Sequence, residues 1–236
     1  MKSNLIVALD FHNKAQAMAL VHQIDPDLCA LKVGSEMFTH FGPEFVRELV
    51  QAGFRVFLDL KWYDIPTTVA NACKAAADLG VWMVNVHASG GAEMMTAARK
   101  ALIDYGKDRP HLIAVTVLTS FADDNLLALN IKETTNTYAL HLAKLADAAG
   151  LDGVVCAVDE ALNIKTEFPE NFLTVTPGIR LDNTHQHDQV RTATPIDARN
   201  ALCDYIVVGR AITQSTNPGQ VVKEILKMLN PATDPS

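Results

Sequence analysis

The chain has no apolar run long enough to cross a bilayer, no surplus of basic residues and little cysteine. Its N-terminus, MKSNLIVALD, is apolar only from Leu5 to Leu9 before Asp10 interrupts it. That stretch is too short for a signal-peptide core and far too short for a membrane span. A cytoplasmic protein with no membrane partner is therefore expected. Lys and Arg number 20 against 27 Asp and Glu, a net charge of −7. Nucleic acid and anionic membrane surfaces both require a basic face, so neither is expected as a partner, although a small anionic ligand could bind locally. The four cysteines, Cys29, Cys73, Cys156 and Cys203, lie far apart, with no CxxC spacing and mostly in apolar stretches. This predicts reduced core thiols rather than disulfides or zinc ligands. Internal repeats, low-complexity tracts and an interdomain linker are also missing.

What is present is a composition of 49% hydrophobic and 20% charged residues over 236 positions. That suffices for one large core, and α/β barrels routinely reach this length as single domains. One domain over 1–230 is expected, with the PATDPS tail, 231–236, disordered. Short apolar runs alternate with helical periodicity from end to end: LIVALD (5–10), ALKVG (30–34), VFLDLKW (56–62), VWMVNVH (81–87), LIAVTVLT (112–119), GVVCA (153–157), FLTVTPG (172–178) and YIVVGR (205–210). Their continuous Val/Ile/Leu character predicts strands buried on both faces, as in parallel sheets joined by crossover helices. In one such helix, 134–149, Tyr138, Leu142, Leu145 and Ala149 make an apolar stripe that ends at Gly150 as the C′ residue.

Eight strand-helix units predict a (β/α)8 TIM barrel, although a doubly wound sheet shares the local pattern. The strand ends favour the barrel, which places its active site at the C-terminal ends of the strands. Those ends are polar here: Asp10, Lys32, Asp59 with Lys61, His87, Thr119, Arg180 beyond strand seven, and Gly209-Arg210.

The stretch FLDLKWYDIP, 57–66, concentrates three charges. Asp59 and Lys61 are two apart and share a face with Phe57, which in a barrel is the interior. Asp64 falls past the strand end, before Pro66, a residue suited to the start of a helix. A buried ion pair is seldom more stabilising than apolar packing, whereas charges at barrel strand ends point to catalysis. Lys32 on the neighbouring strand strengthens that reading.

DLKWYDIP resembles the DxKxxDI signature of the orotidine 5′-phosphate decarboxylase family. In matching order come VALD with Asp10, LKVG with Lys32, VNVHASGGAEMM, VTVLTS, VTPGIR with Arg180, and IVVGRAIT with Arg210. The similarity runs over 5–229 and is nearest the bacterial branch. It implies conversion of orotidine 5′-phosphate to UMP and CO2, the last step of de novo UMP synthesis, by a homodimer that uses neither metal nor organic cofactor. It also implies an alternating array of Lys32, Asp59, Lys61 and Asp64, with Asp64 and Thr68 reaching into the other subunit's site. Further substrate contacts implied are Asp10 and Lys32 at the ribose, Asp59 in the charge array, Ile65, Thr119 at the pyrimidine edge, and Arg180, Gln189, Gly209 and Arg210 at the phosphate. On this reading 179–194, long and polar, is a lid over the phosphate. Its His185-Gln186-His187-Asp188 cluster reads as a solvated loop, and His87 as a structural histidine.

The chain departs from the family pattern at three places. Trp62-Tyr63 stand where many bacterial relatives carry Phe-His, Thr67 stands where Asn is frequent, and Leu202-Cys203 lie where Gly usually precedes the last strand. The last departure puts the turn geometry there in question. Two other readings stay open: a sugar-phosphate decarboxylase or aldolase of the same barrel type, using Mg²⁺ at Glu36, and a catalytically silent nucleotide-binding barrel.

Overall fold

The computed structural model describes residues 3–181 and 191–231. The predicted runs form eight strands: β1 (Leu5–Leu9), β2 (Ala30–Gly34), β3 (Val56–Trp62), β4 (Met83–His87), β5 (His111–Val115), β6 (Gly153–Val155), β7 (Leu173–Thr176) and β8 (Tyr205–Val208). All pair in parallel with their sequence neighbours, and β8 closes on β1. This is the (β/α)8 barrel; closure rules out the doubly wound sheet, which has two edges. Outside it lie α1 (Lys14–Val21), α2 (Ser35–Gln51, kinked at Gly42), α3 (Pro66–Ala77), α4 (Gly91–Ala101) and α5 (Asp123–Ala128). The second half adds α6 (Thr135–Ala148), α7 (Val158–Glu167), α8 (Pro195–Asn200), α9 (Arg210–Thr213) and α10 (Pro218–Leu229). Among the described residues, no helix is long and apolar enough to cross a membrane.

The continuous apolar runs have two faces to fill. Along β1, Leu5, Val7 and Leu9 pack outward into the layer shared with the helices, while Ile6 and Ala8 point into the barrel. Ala30, Phe57, Met83, Ile113, Val175 and Val207 fill the interior beside them, each large side chain contributing about 1.5–3 kcal/mol by leaving water. The same two-residue period, continued upward, delivers Asp10, Lys32, Asp59, Asn85 and Gly209 toward the C-terminal mouth. At the opposite end Trp82 packs edge-on against His111 and Tyr205, with the Arg55 guanidinium 4.7 Å from its ring centre.

Several strands are shorter than their apolar runs, and Thr119 consequently lies on a loop rather than at a strand end. Thr116 is the last residue of that run tied to β6: its N–H and Oγ1 both donate to the Val155 carbonyl, at 3.1 and 2.8 Å. Val155 ends β6, so the chain beyond Thr116 has no ladder to continue. The α6 stripe is also displaced. Ala139, Leu142, Ala143 and Ala146 are buried, with Tyr138, Leu145 and Ala149 half-buried at its flank. Alanine lets the helix approach the barrel more closely than the larger side chains would. Gly150 does end it, at φ 77°. The predicted tail from 232 onward, Gln189 and most of the predicted lid, including its 185–188 cluster, lie outside the described residues. The two ends of that segment are paired by a bridge between Ile179 and Ala193.

Candidate active site

A cavity of about 680 Å³ opens at the C-terminal mouth of the barrel. Asp10, Lys32, Asp59, Lys61, Thr119, Arg180, Gly209 and Arg210 line it, over apolar surface from Phe57, Val115, Val155 and Val207. Asp59, 7% exposed, is its hub. Its Oδ1 accepts the Lys61 ammonium at 2.7 Å and the Asn85 amide at 2.7 Å, and its Oδ2 lies 3.3 Å from Lys32 Nζ. Lys32 Nζ is also 3.6 Å from Asp10 Oδ1.

The charges hold one another ionised. Burial pushes the Asp59 carboxyl up, but Lys32 and then Lys61 outweigh it and leave the group below the usual aspartate range. Burial likewise pushes the Lys32 ammonium down, and Asp59 followed by Asp10 reverses that, so its pKa ends above the ordinary lysine value. Both partners thus favour the charged pair.

Lys61 reaches this cluster from an irregular stretch of β3. Leu58 pairs with Val84 but Trp62 pairs with Val86, a register shift against β4. Within it Lys61 takes φ 53°, a left-handed conformation that costs a residue with a side chain about 1–2 kcal/mol. Strain of this kind collects at active sites. The strict alternation expected along the strand therefore breaks here, although Phe57, Asp59 and Lys61 all still face the cavity.

The sequence pattern of the Orotidine 5′-phosphate decarboxylase / HUMPS family matches residues 3–225. The chain belongs to that family. It is 57% identical over 229 residues to an orotidine 5′-phosphate decarboxylase of Legionella pneumophila (strain Lens), covering 97% of this chain and 100% of the relative. It is also 57% identical over 223 residues to the Escherichia coli (strain K12 / DH10B) protein of the same name, covering 94% and 91%. Among solved structures, orotidine 5′-phosphate decarboxylase from Lactobacillus acidophilus superposes with a TM-score of 0.85 at 38% identity, covering 96% of this chain and 98% of that one.

Of the four-membered array that the decarboxylase family resemblance implies, one chain brings together Lys32, Asp59 and Lys61. Asp64, Ile65 and Thr68 are exposed and do not line the chain's own cavity. Asp64 Oδ1 instead accepts the Ile65 N–H at 2.6 Å, at the entry to α3. Arg180 and Arg210 stand on the cavity wall with Gly209. Thr119 lines it too, and its carbonyl accepts the Arg191 N–H at 3.2 Å, linking the β5 and β7 loops. Glu36 is at the mouth, its carboxylate against His12 Nδ1. Among the described residues no group of three or more His, Cys, Asp and Glu is placed to hold a metal ion.

His87 stays off the cavity lining, its ring 5.9 Å from that of Tyr63. Burial, followed by Lys61, pushes its pKa down. Cys29, Cys73 and Cys156 are buried, Cys156 at the cavity lining, and Cys203 is half-buried; burial raises Cys29 and Cys73 to about 12 and Cys203 to about 11. Sequence reasoning missed Asn85. A signal existed, since VWMVNVH sets this amide two residues from Met83 and from His87, on the inward phase of an apolar strand, where a buried amide requires partners.

Proposed function

We propose that this chain decarboxylates orotidine 5′-phosphate to UMP and CO2, the last step of de novo UMP synthesis. The observation that carries the reading is the Lys61 ammonium, held 2.7 Å from an ionised Asp59 beside the apolar surface of the cavity. Loss of CO2 breaks the bond to C6 of the pyrimidine and leaves its electron pair on that carbon, with no adjacent carbonyl to take it up. A preorganised cation in a water-poor pocket stabilises that charge most effectively. Lys61 then gives a proton to C6 and regains one from solvent. Arginine could supply the charge but would not release the proton.

In this reading Arg180 and Arg210 bind the phosphate, Gln189 assists them, and Gly209 lets the backbone approach it. Asp10 and Lys32 meet the ribose, and Thr119 the pyrimidine edge. The enzyme works as a homodimer in which Asp64 of the partner subunit completes the array and Ile65 and Thr68 of the partner subunit touch the nucleotide. What supports this is that Asp64, Ile65 and Thr68 are all exposed and none lines its own cavity, with Ile65 67% accessible and the neighbouring Tyr63 64%. The chemistry draws on the chain's own charges, with no cofactor assigned.

The test is loss of orotidine 5′-phosphate absorbance with purified protein in EDTA, with Lys61→Ala alongside. Turnover by the wild type alone, with the variant folded, is expected. Turnover by the variant at the wild-type rate would remove Lys61 from the mechanism, and activity only on sugar phosphates with added Mg²⁺ would favour the other barrel chemistry.

A further inference from the structure

Asn85 sits in the middle of β4 with no exposed surface, and both ends of its amide are committed to the charge array. Its Oδ1 accepts the Lys61 backbone N–H at 2.9 Å, and its Nδ2 donates to Asp59 Oδ1 at 2.7 Å. That same Asp59 oxygen accepts the Lys61 ammonium. One amide therefore ties the lysine at both ends, its main chain directly and its ammonium through the carboxylate. The main-chain tie falls inside the register shift between β3 and β4, where Lys61 is left-handed. There the Asn85 side chain serves Lys61 as acceptor. If the position served packing alone, an apolar residue would fill it without the cost of desolvating an amide.

We propose that Asn85 is a positioning residue for decarboxylation: it holds Lys61 in its left-handed conformation and orients Asp59, so that the ammonium is aimed at the reacting carbon. This rests on the decarboxylase reading above. The charged and titratable groups around the amide are Asp59 and Lys61 from β3, Lys32 from β2 with Asp10 beyond it, and His87 on its own strand. From β5 its register partner is Ile113, which is uncharged.

Two variants test the inference on the intact enzyme. Asn85→Ala removes both ties, and since a misplacement of about 1 Å can cost about 100-fold in rate, kcat should fall by about that factor. UMP affinity, set largely at the phosphate end, should change by less than about threefold. Asn85→Asp is isosteric and gives a sharper signature. Two carboxylates at this distance resist ionising together, so the second proton is held to a raised pKa and is shared between them. While it is held, the new residue still donates to Asp59 and accepts from Lys61; once it leaves, the pair repels. Its kcat should therefore drop as pH rises along a limb that the wild type lacks, and return when pH is lowered.

Wild-type kcat in a folded Asn85→Ala, or an Asn85→Asp pH profile that superimposes on the wild type, would overturn the role. If Asn85→Ala does not fold, the Asn85→Asp profile decides alone. Wild-type protein inactive on orotidine 5′-phosphate would instead defeat the decarboxylase reading, which separates the two failures.

Discussion

Asp59 serves two cations and an amide through two oxygens, so changing it should be felt in stability as well as in turnover. Asp59→Asn keeps the shape but removes the charge between Lys32 and Lys61. Breaking a buried pair from one side costs about 3 kcal/mol, so the urea midpoint at neutral pH should fall accordingly, with kcat falling too. The sign of the pH dependence follows from the depressed carboxyl. Its stabilisation is present above the unfolded aspartate value of about 4 and is lost as pH drops through the lower folded value. The stability gap between wild type and variant should therefore narrow on acidification. A gap that stays constant with pH would show that Asp59 charge is not what stabilises the site. Asp59 and Lys61 were legible because a two-residue period sets them on the face of Phe57, and Asp64 was legible as lying off that face. Asn85 was not singled out, because a lone amide in an apolar run carries no mark of what it will touch.

At the scale of elements, the eight strands and their order were readable because a strand covered on both faces has to be apolar throughout. Their ends were not, since a ladder stops where its neighbour stops. Thr119 moved from strand to loop for that reason. Spacing allows for side-chain size only in part: the stripe of α6 centred on alanines, not on the larger residues one turn away. The turn before β8 bears out the doubt raised by its sequence. Leu202, 58% exposed, takes φ 58°, where glycine carries no steric penalty. Relief of about 1–2 kcal/mol of strain, less the extra freedom glycine gives the unfolded chain, about 0.4–1 kcal/mol, predicts that Leu202→Gly raises stability by about 0.5 kcal/mol. Activity should not change, because this turn precedes β8 and the cavity lies beyond its far end. A lowered urea midpoint would mean that the leucine side chain repays the strain. Gly153 is the converse case: a Cβ there would lie 2.2 Å from the Leu173 carbonyl oxygen, so glycine is what lets β6 pair with β7.

For the whole molecule the decisive question is what completes the array. In an isologous dimer each subunit gives to its neighbour what it receives, so a site built from Lys61 of one chain and Asp64 of the partner subunit has a testable arithmetic. Lys61→Ala and Asp64→Asn should each be nearly inactive alone. Mixed and allowed to exchange subunits, they should regain activity, because half the sites of a hybrid carry both intact residues. Mixtures no more active than the sum of their parts, with exchange verified, would place Asp64 outside the neighbouring site.

The eight strands, their order and most of the polar side chains at their C-terminal ends were legible in the sequence, which favoured the barrel over a doubly wound sheet. These depend on periodicity and on the need to bury apolar surface, both of which are written along the chain. Only the tertiary structure decided that Asp59 is the hub, that Lys61 is left-handed, and that Asn85 closes the network between them. Those facts depend on the register of β3 against β4, a relation between strands more than twenty residues apart from Lys61 to Asn85, and the pattern of neither strand records it.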